Sequence, residues 1–262
     1  MLPAARHQAI LDSVRRERIM RVADLAELLG VSPMTVRRDI DSLSDAGLLE
    51  RIHGGAKIPG PTGTHEPGFE LKSTQNTAEK DAIAAEAASL VHEGMAVGLS
   101  AGTTTFALAK RLALGPQITV VTNSVRIADV FYSSAGDSSG TTVILIGGQR
   151  TPSDALVGPI ATAALKQVHL DMLFMGVHGM DSRAGFTTPN LLEAETDRAM
   201  VDASRELVVV ADHTKWGTQG ISTIAALEDA DQIITDSGLG ENARNYLATA
   251  VRKLRVVNPL QG

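Results

Sequence analysis

The sequence predicts a mixed α/β protein in two domains, a small helical domain followed by a larger one with a largely parallel sheet. The first 57 residues contain short helical segments. Residues 58–68 hold three Pro and three Gly, which propagate neither a helix nor a central strand. Beyond them, short unbroken apolar runs alternate with helical segments, as expected for buried parallel strands and their covering helices. A length of 262 residues suits two such domains.

Three short helices and a tight turn are predicted near the N-terminus. Residues from about 4 to 14 and from 22 to 29 have the apolar spacing of amphipathic helices. Gly30 follows the second helix, where a left-handed cap residue is expected. Ser32 then caps a third helix that has Pro33 at its first position. This order of helix, helix, glycine turn and helix is the helix-turn-helix layout.

Two further segments supply strands for a winged version of this layout. Residues 18–20 precede the second helix, and residues 49–57 form a basic run with a Gly-Gly pair at the tip of a predicted hairpin. The sequence therefore predicts a winged helix-turn-helix domain that binds DNA.

The third helix has one apolar face and one polar face. At about 100° per residue, Val36, Ile40 and Leu43 fall within about 60° of one another and form the stripe predicted to be buried. Arg37 and Arg38 lie outside this stripe, and an Arg paired with guanine contributes ~1–3 kcal/mol of base discrimination. A solvated helix face is the alternative, but the preceding turn and the basic wing favour DNA contact. The residues predicted to contact DNA are Ser32, Met34, Thr35, Arg37, Arg38, Arg51, His53 and Lys57.

Charge is divided unevenly along the chain, whose net charge is −6. Residues 1–57 hold nine Arg and Lys against eight Asp and Glu, so this part is +1 and the remainder is −7. A basic DNA-binding face must therefore come from the placement of the arginines and not from an excess of them.

The Pro- and Gly-rich segment marks the predicted boundary between the domains. We predict a DNA-binding domain over residues 1–57, a linker over 58–75 and a second domain over 76–262. Asn76 and Glu79 have the spacing of a capping box at the start of that second domain.

Seven apolar runs in the second domain are predicted to form its sheet. They are Ala96–Leu99, Ile118–Thr122, Thr142–Ile146, Met172–Gly176, Leu207–Ala211, Gln232–Thr235 and Leu254–Val257. Helices are predicted between them at Thr103–Leu112, Val125–Phe131 and Glu193–Ser204. Alternation of this kind favours a largely parallel sheet.

The motifs resemble one known family over most of the chain. Ser32-x-x-Thr-Val-Arg-Arg-Asp-Ile-x-x-Leu43 is followed by Gly47-Leu-Leu-x-Arg-x-His-Gly-Gly-Ala56. This pair resembles the N-terminal signature of the DeoR family of bacterial transcription regulators. Further matches are Glu79-Lys80-x-x-Ile83-Ala84, Gly102–Thr105, Thr122–Ser124, Gly147-Gly148, Gly176-x-x-Gly179, Glu193-Ala194-Glu195 and Asp212-x-x-Lys215. The resemblance implies a homo-oligomeric repressor, dimer or tetramer, that binds operator DNA and is released by a phosphorylated sugar or polyol.

Turns at the ends of predicted strands form the candidate effector site. Between Leu99 and Thr105 a strand gives way to a helix, whose free N–H groups and hydroxyls suit an anion. Ligands of open α/β sheets bind at the carboxyl ends of strands. For each motif alone, a helix cap, a turn or a surface ion pair is the alternative. The predicted effector-binding residues are Ser100, Gly102, Thr103, Thr104, Thr105, Asn123, Ser124, Gly147, Gly148, His178, Gly179, Asp212 and Lys215.

Two positions depart from the family pattern, and they bear on an alternative function. Ser100 stands where the family commonly has Asp, and His178 replaces a commonly acidic residue. The second domain also resembles ribose-5-phosphate isomerase, whose two loop Asp residues align with Met175 and His178. The alternative is therefore a sugar-phosphate isomerase with an added DNA-binding domain. Met175 argues against it, because a thioether cannot act as a base. An activator or architectural DNA binder with a vestigial sensor is a third interpretation.

Several functional classes lack support in the composition. The chain has no Cys, which excludes disulfides and Cys-ligated metals and fits a reducing cytoplasm. The seven His show no metal-ligand spacing, and GxSxG and Walker-type motifs are absent. No apolar run approaches the ~20 residues that span a membrane. We therefore expect a cytoplasmic regulator that is not an enzyme, without metal, cofactor or membrane association.

Overall fold

The computed structural model describes residues 3–17, 19–45, 48–52, 54–57, 68–134 and 140–259. The chain divides into two compact units, Met1–Pro67 and Gly68–Gly262. Among the described residues, no helix is long and apolar enough to cross a membrane.

The first unit combines helices with a small antiparallel sheet. Its elements are α1 (Pro3–Glu17), β1 (Ile19–Arg21), α2 (Val22–Leu29), α3 (Pro33–Asp45), β2 (Glu50–Ile52) and β3 (Gly55–Lys57). The strand order is β1-β3-β2, so the β2–β3 hairpin forms the wing. The predicted winged helix-turn-helix fold is confirmed.

The turn between α2 and α3 has the predicted chemistry. Gly30 adopts a left-handed conformation with φ 63°, which a residue without a Cβ enters at no steric cost. The Ser32 Oγ accepts a hydrogen bond from the Thr35 amide at 3.1 Å and so caps α3. Val36, Ile40 and Leu43 are all buried in the core of this unit, as their spacing predicts.

The second unit begins with two helices and continues as alternating strands and helices. Its helices are α4 (Phe69–Ser73), α5 (Thr77–Ala88), α6 (Thr103–Leu112), α7 (Val125–Ser134), α8 (Pro159–Leu165), α9 (Leu191–Asp202) and α10 (Glu241–Ala250). Its strands are β4 (Ala96–Leu99), β5 (Thr119–Thr122), β6 (Thr142–Leu145), β7 (Gln149–Arg150), β8 (Leu156–Val157), β9 (Met172–Met175), β10 (Gly179–Asp181), β11 (Gly185–Thr188), β12 (Leu207–Val210), β13 (Ser222–Ala225), β14 (Gln232–Asp236) and β15 (Lys253–Val257).

A seven-stranded parallel sheet runs through this unit in the order β15-β14-β12-β9-β4-β5-β6. These seven strands are the seven apolar runs predicted from the sequence. The chain leaves β4 towards β5 and β6, then returns to β9 on the other side of β4. The strand order therefore reverses between β4 and β9, which is where open α/β sheets form a ligand crevice.

Both faces of the parallel sheet are covered. Successive residues of β9 alternate between two cores, with Leu173 and Met175 in one and Met172 and Phe174 in the other. Helices α5, α6 and α7 contribute side chains to the second core, and α8, α9 and α10 to the first. Burial on both sides explains why these strands are continuous apolar runs instead of alternating ones.

Two local expectations differ from the structure. Residues 58–67 of the predicted linker lie outside the described residues, but Phe69–Ser73 is a helix of the second unit and Phe69 is buried there. The predicted capping box is wrong, because the Asn76 side chain does not cap α5. Its Nδ2 donates instead to Oδ1 of Asp212 at 3.2 Å, an ionised partner that the fold brings from 136 residues away.

Candidate functional site

The exposed face of α3 presents two arginines to solvent. Arg37 and Arg38 are both exposed, and neither forms an ion pair with a residue that the structure describes. Met34 is 57% exposed beside them. Thr35 lies at the start of the helix, where its Oγ1 is 2.9 Å from the Ser32 Oγ. Exposed guanidinium groups on the third helix of this fold can contact base edges and phosphates.

The basic wing residues Arg51 and Lys57 form ion pairs within the first unit. Arg51 donates to Asp41 of α3 at 2.7 Å, and Lys57 pairs with Glu50 at 2.9 Å, with all four side chains partly or largely exposed. His53, the other predicted wing contact, lies outside the described residues. A groove of about 560 Å³ is lined by Arg37, Arg51 and backbone of the hairpin tip, and the predicted DNA contacts of helix and wing meet there.

Helix α3 is held against α1 by a buried carboxylate. Asp39 is 6% exposed and accepts two hydrogen bonds from the Arg6 guanidinium, at 2.5 and 2.9 Å. The Nε2 of His7 lies 2.9 Å from the same carboxylate. The hydrogen bonds from Arg6 keep the pKa of Asp39 below its ordinary value. The third charged residue of the Arg-Arg-Asp motif is therefore structural, while the first two remain available to DNA.

Replacing Asp39 with Asn is expected to destabilise the first unit by about 1–3 kcal/mol, because Arg6 loses its ionised partner.

The same ion pair predicts a pH dependence of stability. A carboxyl whose pKa is lowered by folding stabilises the protein above its unfolded pKa of about 4, and this contribution is lost as the pH falls further. The melting temperature of the wild type, followed by circular dichroism, should therefore fall towards that of Asp39→Asn as the pH is lowered below about 4. Asp24→Asn, at an exposed position of α2, is the matched control. Equal melting temperatures of Asp39→Asn and Asp24→Asn at pH 7 would contradict the stabilising role.

The region where β4 and β9 end, called the crevice below, is built from small residues. Ser100 follows β4 and is buried, and its Oγ accepts a hydrogen bond from the Gly176 amide, at the end of β9, at 3.0 Å. Gly102 immediately precedes α6, and a Cβ built on Gly176 would come within 4.0 Å of its Cα. Close approach of two glycines leaves backbone and the N-terminus of α6 facing the crevice, which is an arrangement that favours anions.

The three threonines at this helix start differ in accessibility. Thr105 is fully buried and donates to the Gly102 carbonyl at 3.0 Å. Thr104 is 6% exposed, whereas Thr103 is half-buried. Thr103 and the free amides of the first turn are therefore the groups most available to a ligand.

Polar residues after β5 hold the crevice together. Asn123 is buried and accepts from the Ala101 amide at 2.9 Å, while its Nδ2 donates to the Leu156 carbonyl at 3.3 Å. The Ser124 Oγ accepts from the Ile127 amide at 3.3 Å and caps α7. Both residues thus position the loops around the crevice, and effector contact by either stays a prediction.

Three predicted glycines have different environments. Gly147 and Gly148 are exposed after the edge strand β6, away from the reversal point in strand order. Gly179 is buried, and a Cβ there would fall 2.0 Å from the Thr218 carbonyl oxygen. Gly179 is therefore required for packing. The neighbouring His178 is half-buried, and its amide donates to the Thr187 carbonyl at 3.2 Å.

A buried carboxylate and two lysines lie beside the crevice at the end of β12. Asp212 is fully buried, and its Oδ1 accepts from the Thr214 amide and hydroxyl and from Asn76. Its Oδ2 has no hydrogen-bond partner among the described residues. Burial acts to raise the pKa of Asp212, but the charges of Lys215 and Lys80 and the bonds from Thr214 outweigh it, so the pKa is lowered. An ionised carboxylate with an unused oxygen is suited to accept from a hydroxyl group.

Two residues of this region were missed by the sequence reasoning. Lys80 of α5 is 5% exposed, and burial lowers its pKa to about 8 against the opposing charge of Asp212. Glu193 of α9 is 8% exposed and accepts from the hydroxyls of Thr151, Ser153 and Thr188. Both stand in motifs that resemble the family, and that position was the available signal. Their spacing was a second signal, because Lys80 lies on the same helical face as Ile83 and Ala87, and Glu193 on the same face as Thr196 and Met200.

An exposed basic helix in a winged helix-turn-helix unit, together with an α/β unit whose strand order reverses beside a helix N-terminus, is the arrangement of a ligand-responsive transcription regulator. Models of the DeoR-like helix-turn-helix domain and of the DeoR C terminal sensor domain match residues 6–62 and 75–237. The chain belongs to the DeoR family.

Relatives support this assignment over nearly the whole chain. The HTH-type transcriptional regulator GlpR of Haloferax volcanii is 37% identical over 95% of this chain and 96% of its own length. The transcriptional repressor AccR of Agrobacterium fabrum is 33% identical over 95% of this chain and 94% of its own. A ribose 5-phosphate isomerase of Methanocaldococcus jannaschii superposes with a TM-score of 0.40 at 16% identity, covering 55% of this chain and 56% of that one.

Proposed function

We propose that this protein is a repressor that leaves operator DNA when its second unit binds a phosphorylated sugar or polyol. The observation that carries the proposal is the N-terminus of α6, preceded by Gly102, at the point where the strand order reverses. The family membership and the repressor among its relatives support the same conclusion.

The proposed effector has two chemical parts, which match two features of the site. The phosphate is placed at the first turn of α6, with Lys215 supplying a positive charge. A sugar or polyol hydroxyl donates to the unused Oδ2 of Asp212. Ser100 offers a neutral hydroxyl where the family commonly has a carboxylate, and its Oγ already accepts one hydrogen bond from the Gly176 amide. This arrangement supports a ligand that is bound through its phosphate more than through hydroxyl groups near Ser100.

The DNA-binding half of the proposal rests on α3. Arg37 and Arg38 contact base edges or phosphates, and Ser32 and Thr35 contact the backbone near the helix start, where the helix dipole favours phosphate. Arg51 and Lys57 exchange their carboxylate partners for DNA phosphates on binding. Residues 1–57 carry a net charge of only +1, so we propose a homo-oligomer that places two copies of this domain on adjacent half-sites.

Effector binding is tested with purified protein and a panel of pentose, hexose and polyol phosphates. A ligand at ~100 times its dissociation constant should stabilise the protein by ~2.7 kcal/mol, which a thermal-shift assay detects. The same ligand should release the protein from duplexes selected out of a random DNA library by binding to it. Unphosphorylated sugars are the matched control. Absence of any saturable ligand would favour a DNA binder with a vestigial sensor, and turnover of pentose phosphates would favour the isomerase interpretation.

A further inference from the structure

Helix α4 is the first described element after the segment that joins the two units. It has five residues, too few to be stable by its own hydrogen bonds. Its position therefore depends on what holds it, and both of its ends are held by residues connected to the proposed effector site.

The N-terminal end of α4 is anchored to α6. Phe69 is 6% exposed and packs edge-on against Phe106, with ring centroids 5.3 Å apart. The Phe106 amide donates to the Gly102 carbonyl, so this aromatic contact lies one helical turn from the proposed phosphate position. The Arg126 guanidinium lies over the Phe69 ring, 4.4 Å from its centroid, and pairs with Glu70 at 2.7 Å.

The C-terminal end of α4 is held by Lys80. The Lys80 ammonium donates to the carbonyls of Lys72 and Gln75, which end α4 and lead into α5. Among the described residues these are its hydrogen-bond acceptors, and an ammonium has three N–H donors. The following residue, Asn76, has a left-handed φ of 49° and is fixed by its bond to Asp212.

We infer that α4 reports effector occupancy to the segment that precedes it: an anion in the crevice tightens the hold of Lys80 on the carbonyls of Lys72 and Gln75. This inference rests on the proposed function, because it requires an anionic ligand at the site.

The charge of Lys80 explains why a bound anion strengthens its hydrogen bonds to the two carbonyls. Burial lowers its pKa to about 8, so a measurable fraction of the side chain is neutral at slightly alkaline pH. Asp212 is the neighbouring carboxylate that favours the charged form most, and Lys215 and Lys72 oppose it while Glu79 favours it. An added anion favours the ammonium further, and charge-assisted hydrogen bonds to the two carbonyls are stronger than neutral ones.

Two probes measure site occupancy and the state of α4 in the full chain. The chain has no Cys, so Thr74→Cys gives a single exposed labelling site at the end of α4 for a nitroxide. Trp216, the only tryptophan, follows Lys215 directly and reports the site by its fluorescence. Inorganic phosphate is the anion used, at pH 8. We expect phosphate to change Trp216 emission and to lower nitroxide mobility with the same midpoint.

The outcomes separate the inference from the proposed function. A Trp216 response without a change in nitroxide mobility overturns the role of α4 and leaves the anion site standing. No Trp216 response and no mobility change overturns both.

Substitutions test the same contacts from each end of the helix. Lys80→Met should raise nitroxide mobility without phosphate, and phosphate should no longer lower it; Lys166→Met, at an exposed lysine, is the matched control. Phe69→Ala should also raise mobility while the phosphate midpoint from Trp216 stays within about twofold of the wild type. Because Phe69 does not belong to the proposed site, wild-type mobility in a folded Phe69→Ala protein contradicts the inference even if Lys80→Met fails to fold.

Discussion

Replacing Arg37 and Arg38 together with Ala is expected to weaken binding to a selected operator duplex by roughly 30-fold to 10⁴-fold, since each arginine contributes ~1–3 kcal/mol. The structure makes this the largest effect on DNA binding, because both side chains are exposed on α3 and unpaired with any described residue. Fluorescence anisotropy with a labelled duplex measures the change. A lower slope of log affinity against log salt identifies phosphate contacts, and loss of discrimination between duplexes identifies base contacts.

The control for this substitution is Arg111→Ala, at an exposed arginine near the C-terminal end of α6. It removes one positive charge from the second unit and should leave operator affinity within about twofold. An unchanged affinity of the Arg37→Ala, Arg38→Ala protein would exclude both residues from the DNA-reading surface and leave the wing as the site of contact.

Replacing Lys215 with Met is expected to weaken effector binding by roughly 10- to 150-fold, because a hydrogen bond to a charged group contributes ~1.5–3 kcal/mol. Lys215 is half-buried and forms no ion pair with a residue the structure describes. Its charge lowers the pKa of Asp212 more than the charge of Lys80 does. Isothermal titration with the sugar phosphate found by thermal shift gives the affinity. Operator binding without effector should be unchanged, so more effector is needed for release.

Lys166→Met serves as the control for this experiment also, since it removes one exposed lysine elsewhere in the second unit. A wild-type effector affinity in Lys215→Met would remove this residue from the site. It would then leave the N-terminus of α6 and Lys80 to bind the phosphate. Loss of operator binding by the same variant would indicate instead that Lys215 stabilises the fold through Asp212.

Much of the fold was predictable because its determinants are local. Each of the seven sheet strands forms at the apolar run that predicts it, because burial on both faces requires continuous apolar residues. The recognition helix was predictable for a similar reason. Gly30, the Ser32 cap and the buried stripe from Val36 to Leu43 act within one or two helical turns of one another.

The sequence predicts the wrong environment for residues whose contacts come from distant parts of the chain. The Oδ1 of Asn76 could cap α5, but the backbone of Asn76 is left-handed and not extended as in an N-cap residue, and its Nδ2 donates to the distant Asp212. Phe69 stands in a segment whose prolines and glycines predict a linker, yet it finds Phe106 and Arg126 across the fold. Lys80 shares the buried face of α5 with Ile83 and Ala87, where a charged residue is expected only if the fold supplies partners for it.

The sequence by itself determined the helix-turn-helix domain with its basic α3 and the parallel sheet with turns at its carboxyl edge. Only the tertiary structure decided how that edge is organised. It places Ser100 against Gly176, 76 residues apart, and leaves Oδ2 of Asp212 without a partner among the described residues. It also buries Lys80, whose ammonium donates to the carbonyls of Lys72 and Gln75. Such pairings depend on the order of the strands, and strand order follows from packing of the whole sheet and not from any local pattern of residues.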